Sequence, residues 1–146
     1  MNKKGNYPAI VGVLALLVLL LGGYISFEAF TKTYDLQNVE AEDKNIGMNQ
    51  ITEIFFDVSN NDDLTFLGKI ELIANKTCFN SPIENPLPEI QPHSTISSSI
   101  NLRTEYNIQN RLDSCLGRPY SITLKLRDVS GKLLDEESIS IRITRS

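Results

Sequence analysis

The segment Tyr120-Ser-Ile-Thr-Leu-Lys-Leu-Arg127 alternates apolar and polar residues without a break. Successive side chains of an extended chain point to opposite sides. Tyr120, Ile122, Leu124 and Leu126 therefore share one face, and Ser121, Thr123, Lys125 and Arg127 share the other. The pattern predicts a strand with one face in a core and one in water. Asp128-Val-Ser-Gly131 follows as a turn, with Gly131 suited to a positive φ. Beyond it Ile139, Ile141 and Ile143 alternate with Ser140, Arg142 and Thr144, so a terminal β-hairpin is expected.

Toward the N-terminus the same period returns. Ile96, Ile100 and Leu102 mark a strand, and Phe66, Ile70, Leu72 and Ala74 alternate with Lys69 and Glu71 in an earlier one. Ile54, Phe56 and Val58 form another, closed by the turn Ser59-Asn-Asn-Asp-Asp63, and Leu36 with Val39 suggests a first. Short strands between polar turns, with no helical periodicity among them, predict an all-β antiparallel sandwich of six or seven strands, immunoglobulin-like or fibronectin-like. Pro82, Pro86, Pro88 and Pro92 interrupt the stretch from Asn75 to Pro92, which is expected to be a long loop rather than a central strand. Such a loop is where a partner would be touched. The runs Phe55–Asn61, Gly68–Leu72 and Pro92–Thr95 resemble, in pattern, the small sandwich modules common on archaeal and bacterial surfaces.

Pro8 to Phe27 contains no charged residue, and Ala9 to Leu21 is Ala, Ile, Val and Leu broken only by Gly12. Twenty helical residues at about 1.5 Å each cover roughly the 30 Å of a hydrocarbon core. The stretch has no polar stripe, so it reads as a span rather than a surface helix. Lys3 and Lys4 precede it, while Glu28, Lys32 and Asp35 follow, which puts the N-terminus in the cytoplasm. The expected division is a cytoplasmic segment 1–7, a transmembrane helix 8–30 and an extracytoplasmic domain 31–146. The lipid bilayer is then the partner of the helix, and the cell membrane the location. A cleaved secretory signal fits less well. Cleavage after Gly23 puts Leu21, and cleavage after Ala29 puts Phe27, where a small residue is wanted. No Cys follows the apolar run, which disfavours a lipoprotein anchor.

Lys3-Lys4-Gly5-Asn6-Tyr7-Pro8-Ala9-Ile10-Val11-Gly12 resembles the start of archaeal type IV pilin-like proteins. In these, two basic residues and a small one precede the processing site, and a Pro opens the hydrophobic helix. The resemblance implies removal through Gly5, a mature N-terminus at Asn6, and homo-oligomers in which the helix enters a filament core. It covers about ten residues and the apolar run, and Tyr7 stands where such proteins often have Ser or Thr. Pro8 also suits a first helical turn for its own reason, since its missing N–H would be unsatisfied there.

The part after Phe27 carries twelve of the fourteen basic residues and all eighteen acidic ones, a net of −6. Nucleic acid is excluded as a partner, because phosphate binding needs clustered Lys and Arg. Cys78 and Cys115 are the only cysteines, and outside the cytoplasm they read as a disulfide. Two free thiols or half a metal site are the alternatives; the latter has only His93 to add. Asn75-Lys-Thr77 is an N-glycosylation sequon. Asp57, Asn60, Asn61, Asp62 and Asp63 offer oxygens to calcium, yet lack the Gly and terminal Glu of an EF-hand loop, so a solvated turn is the expected reading. His93 has Ser94, Ser97, Ser98 and Ser99 nearby in sequence, but no nucleophile-elbow pattern surrounds them.

No acid, base, nucleophile or metal set stands out, and no cofactor motif appears. An enzyme is the class with least support. A membrane-anchored structural or binding module with a protein or cell-envelope partner leads, ahead of a pilin-like subunit and of an accessory subunit of a larger membrane complex.

Overall fold

The computed structural model describes residues 32–105 and 114–145. The expected cytoplasmic segment 1–7, the span 8–30 and the processing pair Gly5 and Asn6 lie outside the described residues. Among those described, no helix is long and apolar enough to cross a membrane.

Eight strands are described: β1 Tyr34–Ala41, β2 Asn45–Gly47, β3 Ile51–Asn60, β4 Gly68–Ile73, β5 Ile83–Pro86, β6 Ser94–Arg103, β7 Pro119–Asp128 and β8 Leu133–Thr144. They form two sheets, ordered β1-β3-β6 and β2-β8-β7-β4-β5. The apolar residues of both inner faces make one core, with Leu36, Ile54, Phe56 and Val58 from one sheet and Ile70, Leu72, Ile122, Leu124, Leu126 and Ile141 from the other. The all-β two-sheet expectation holds.

Four details correct the sequence reading. The described residues hold eight strands rather than six or seven, because β2 and β5 are too short to show a period of their own. The sandwich is also not wholly antiparallel, since β2 runs parallel to β8 through Asn45↔Arg142 and Gly47↔Thr144. The Pro-rich stretch is not all loop. Ile83–Pro86 pairs with β4 as an edge strand, a position that tolerates proline because one side needs no ladder bonds. Phe66 falls outside β4 and instead makes an isolated bridge to Ile90.

In β1, Leu36 and Val39 are three residues apart and cannot share a face of a regular strand. A bulge resolves this. Gln37 opposes Asp57 and Glu40 opposes Phe55, so Asn38 and Val39 together face one residue of β3. Asn38 takes a φ of 52°, a left-handed conformation that Asn tolerates better than most residues. The parity shift turns Val39 and Ala41 onto the core beside Leu36.

The terminal hairpin turns through Gly131 at φ 86°. The Asp128 carboxylate accepts hydrogen bonds from the Ser130 N–H at 2.8 Å, the Ser130 hydroxyl at 2.6 Å and the Lys132 N–H at 2.9 Å. On the outer face Arg127 donates from Nε to Glu71 at 2.7 Å, tying β7 to β4. Where those strands begin and end, Gly68 allows a close approach, because a Cβ there would collide with the Arg127 carbonyl oxygen and the Phe66 ring. The buried Asp135 of β8 reaches the other sheet, accepting the Leu36 N–H at 2.9 Å.

Leu124 is fully buried, whereas Lys125 points outward, 3.7 Å from Glu136. Leu124→Ala should cost about 2–5 kcal/mol by chemical denaturation, as buried large-to-small changes do. Lys125→Ala should cost roughly 0.5 kcal/mol or less. Equal losses at the two positions would reject the register.

Candidate functional site

Among the described strands β6 has a paired neighbour, β3, on one side only. On the outer face Thr95, Ser97, Ser99 and Asn101 stand opposite Ser59, Asp57, Phe55 and Glu53. Ser59 and Thr95 hydroxyls meet at 2.8 Å, the Ser97 hydroxyl donates to Asp57 at 2.6 Å, and Ser99 donates to Glu53. Asn38 donates to the same Asp57 carboxylate at 2.7 Å. The Asn38 and Ser97 bonds hold the Asp57 carboxyl below its ordinary range. This polar ladder engages the hydroxyls of Thr95, Ser97 and Ser99 on the outer face.

The edge is identified by two bonds. The Ser99 carbonyl is 3.5 Å from Asn85 Nδ2, and the Arg103 carbonyl accepts the Asn80 N–H at 2.9 Å. Residues of that parity therefore aim their backbone groups away from β3. The segment Cys78–Asn80 covers the C-terminal end of the strand through the Phe79↔Thr104 bridge. Among the described residues no second strand pairs with the stretch from Thr95 to Asn101 on the side away from β3. That stretch carries no Lys, Pro or bulge, the usual devices that blunt an edge.

Cys78 and Cys115 are joined, with Cα atoms 5.8 Å apart, closing a separation of 37 residues. The Cys78 segment bridges to Thr104 at the end of β6 in one sheet and the Cys115 segment leads into β7 of the other, so the disulfide links the sheets at one end. Tyr120 packs edge-on against Phe79, with ring centroids 5.4 Å apart, and its hydroxyl donates toward the Ser114 and Cys115 carbonyls at 3.2 and 3.1 Å. Asn75 is exposed at this end, and its side-chain oxygen accepts the Thr77 N–H at 2.9 Å.

The structure disperses the oxygen-rich run at the opposite end. Asn60 is buried and donates to the Leu64, Ile90 and Gln91 carbonyls while accepting from the Asp62 N–H. Asp62 accepts the Tyr34 hydroxyl at 2.8 Å, and Asp63 meets His93 Nε2 at 2.8 Å. The Tyr34 bond lowers the Asp62 pKa and raises that of Tyr34. Asp57 lies on the outer sheet face with Ser97, away from these partners. Among the described residues, no three His, Cys, Asp or Glu side chains gather as a metal site. His93 itself takes a φ of 52°, and Ser94 donates to the Gln91 carbonyl rather than to it. A shallow depression of about 410 Å³ over the terminal hairpin, edged by Pro119, Ser121 and Ser138, holds no carboxylate, imidazole or amine.

Sequence reasoning missed the Tyr34–Asp62 bond, the Asp135 bridge and the open edge. The first two join residues 28 and 99 positions apart, and no local pattern announces such pairs. The edge depends on strand order, which periodicity does not contain.

No family model matches the chain, and no curated protein resembles it in sequence. Among solved structures the chain is similar to the CARDB domain of the PF1109 protein from Pyrococcus furiosus, solved in complex with di-metal ions. The TM-score is 0.54 at 11% identity, covering 80% of this chain and 98% of that one. A β-glucuronidase of glycoside hydrolase family 2 (TM-score 0.49, 13% identity) matches over 77% of this chain and 11% of its own. The β-glucosidase of Listeria innocua (TM-score 0.47, 12% identity) matches over 76% of this chain and 16% of its own. The likeness to the CARDB domain is one of fold, a two-sheet β-sandwich; the two hydrolases carry no argument about activity.

The disulfide closes its loop at a value of about 4 kcal/mol in the chain-entropy model. Mass spectrometry of unreduced peptides should show the Cys78–Cys115 crosslink, and replacing both residues with Ser should lower the melting temperature. Free thiols at both positions would reject the bond. Acid should also destabilise the domain. Asp57, Asp62 and Asp128 have folded pKa values below 3.8, so their stabilisation is present above that pH and is lost as the pH falls through the lower folded values. A melting temperature that stays flat across that interval would contradict these bonds.

Proposed function

We propose that the protein is a single-pass, membrane-anchored module without catalytic activity. Its sandwich, of immunoglobulin-like or fibronectin-like arrangement, lies outside the cytoplasm and offers the β6 edge to a protein or cell-envelope partner. One observation carries the reading: a disulfide-stapled β-domain follows closely after an uncharged apolar stretch of transmembrane length. Structural disulfides persist in oxidising compartments, and the charge asymmetry around 8–27 orients the chain the same way. An open, uncharged edge supports the binding role, because an added strand gains main-chain hydrogen bonds without any pocket.

The pilin-like subunit remains the second reading, favoured by the residues around Gly5. It differs in what the helix packs against, lipid or other copies of itself.

Protease added to spheroplasts should remove the domain and leave the N-terminal segment protected. Digestion only after lysis would overturn the orientation. N-terminal sequencing of the membrane-extracted chain should give an intact or Met-trimmed start, whereas a start at Asn6 would favour the filament subunit.

A further inference from the structure

Four of the six large exposed apolar residues in the described chain stand at one end of the sandwich. Leu64 and Leu67 lie in the β3–β4 loop, Val129 in the β7–β8 turn, and Leu133 at the start of β8. Leu64 is 70% and Val129 81% exposed. The register brings the two loops together, since Gly68 pairs with Asp128 and so sets Leu67 beside the turn that carries Val129. The remaining two, Ile51 and Phe55, are elsewhere on β3.

These side chains sit on a firm frame. The Asn60 amide holds the Leu64 carbonyl at 2.8 Å, and Phe66 exchanges backbone bonds with Ile90 at 2.9 and 3.1 Å while stacking on Tyr34. The carboxylates beside them stay at the surface, each held by a neighbour: Asp62 by Tyr34, Asp63 by His93 and Asp128 by its own turn. A rigid loop that projects leucine outward loses little freedom on docking.

The chain also enters the domain at this end, where the Asn61 N–H bonds the Thr33 carbonyl at 2.8 Å. Phe27 closes the uncharged stretch six residues earlier. Six residues reach at most about 20 Å fully extended. If 8–27 spans the bilayer, that length bounds how far Thr33, at the entry end, can lie from the lipid.

We propose that Leu64, Leu67, Val129 and Leu133 form a membrane-contacting tip that seats the entry end of the sandwich in the lipid interface. The inference rests on the anchor reading above. Its chemistry is apolar, and the carboxylates at its margin favour a zwitterionic over an anionic surface.

The chain contains no Trp, so single substitutions report cleanly. The full-length chain, reconstituted in phosphatidylcholine vesicles brominated in the acyl chains, is compared across Val129→Trp, Leu64→Trp, Ile51→Trp and Leu17→Trp. Val129→Trp and Leu64→Trp should be blue-shifted and quenched several-fold more than Ile51→Trp, and added phosphatidylglycerol should weaken the effect. Quenching at both tip positions no greater than at Ile51→Trp, with Leu17→Trp quenched, would overturn the tip and leave the anchor standing. An unquenched Leu17→Trp would remove the anchor, and the tip with it. A blue shift at Val129→Trp without lipid quenching would mean a protein covers this end, and would also overturn the proposal.

Discussion

A strand residue faces the core or the water according to its parity, and the core of this domain depends on that parity being kept along β3, β6 and β7 and reset by an extra residue in β1 and at Leu134 of β8. In β7 the rule places Ile122, Leu124 and Leu126 inside, all fully buried. In β1 the bulge at Asn38 and Val39 resets it. Without the reset, Leu36 and Val39 would lie on opposite faces, and one would be withdrawn from the core. The same strand is tied across the sandwich by Asp135, whose carboxylate accepts the Leu36 N–H. Burying a carboxylate is costly unless it is well hydrogen-bonded, and this one also takes the Glu136 N–H at 2.9 Å. No buried side-chain nitrogen or oxygen lacks a partner among the described residues.

How much of this was legible follows from where each signal resides. The terminal hairpin and β3 carry their period within their own residues, so their inward faces could be read directly. Strands β2 and β5, of three and four residues, are defined by the strands they lie against. Nothing in Asn45-Ile-Gly47 announces a parallel pairing with residues almost a hundred positions later. The prolines between Asn75 and Pro92 argued correctly against a central strand, yet an edge strand still forms, because β5 needs ladder bonds on one side alone.

The candidate sites divide in the same way. Two cysteines in loop-like sequence are conspicuous, and the structure joins them. The cluster from Asp57 to Asp63 looks like one site when written as a string. Folded, strand parity sends Asp57 to the outer face, while Asn60 turns inward to the loop carbonyls and Asp62 and Asp63 take separate partners. Proximity in sequence is thus a poor guide to a shared site at the end of a strand, where direction changes with each residue.

The two ends of the sandwich also differ in kind. One gathers the disulfide, the Tyr120 hydroxyl and the exposed Asn75, and it is tightened by covalent and aromatic contacts. The other receives the chain at Thr33 and projects Leu64 and Val129. Between them runs the β6 edge, whose serines are engaged by Asp57 and Glu53 on the outer face, so that its main chain rather than its side chains is available. A strand added there would read shape and backbone more than sequence, and selectivity would have to come from the neighbouring outer face, where the exposed Phe55 lies opposite Ser99. Because Asn85 of β5 reaches the Ser99 carbonyl at 3.5 Å, a strand added there would compete with that contact.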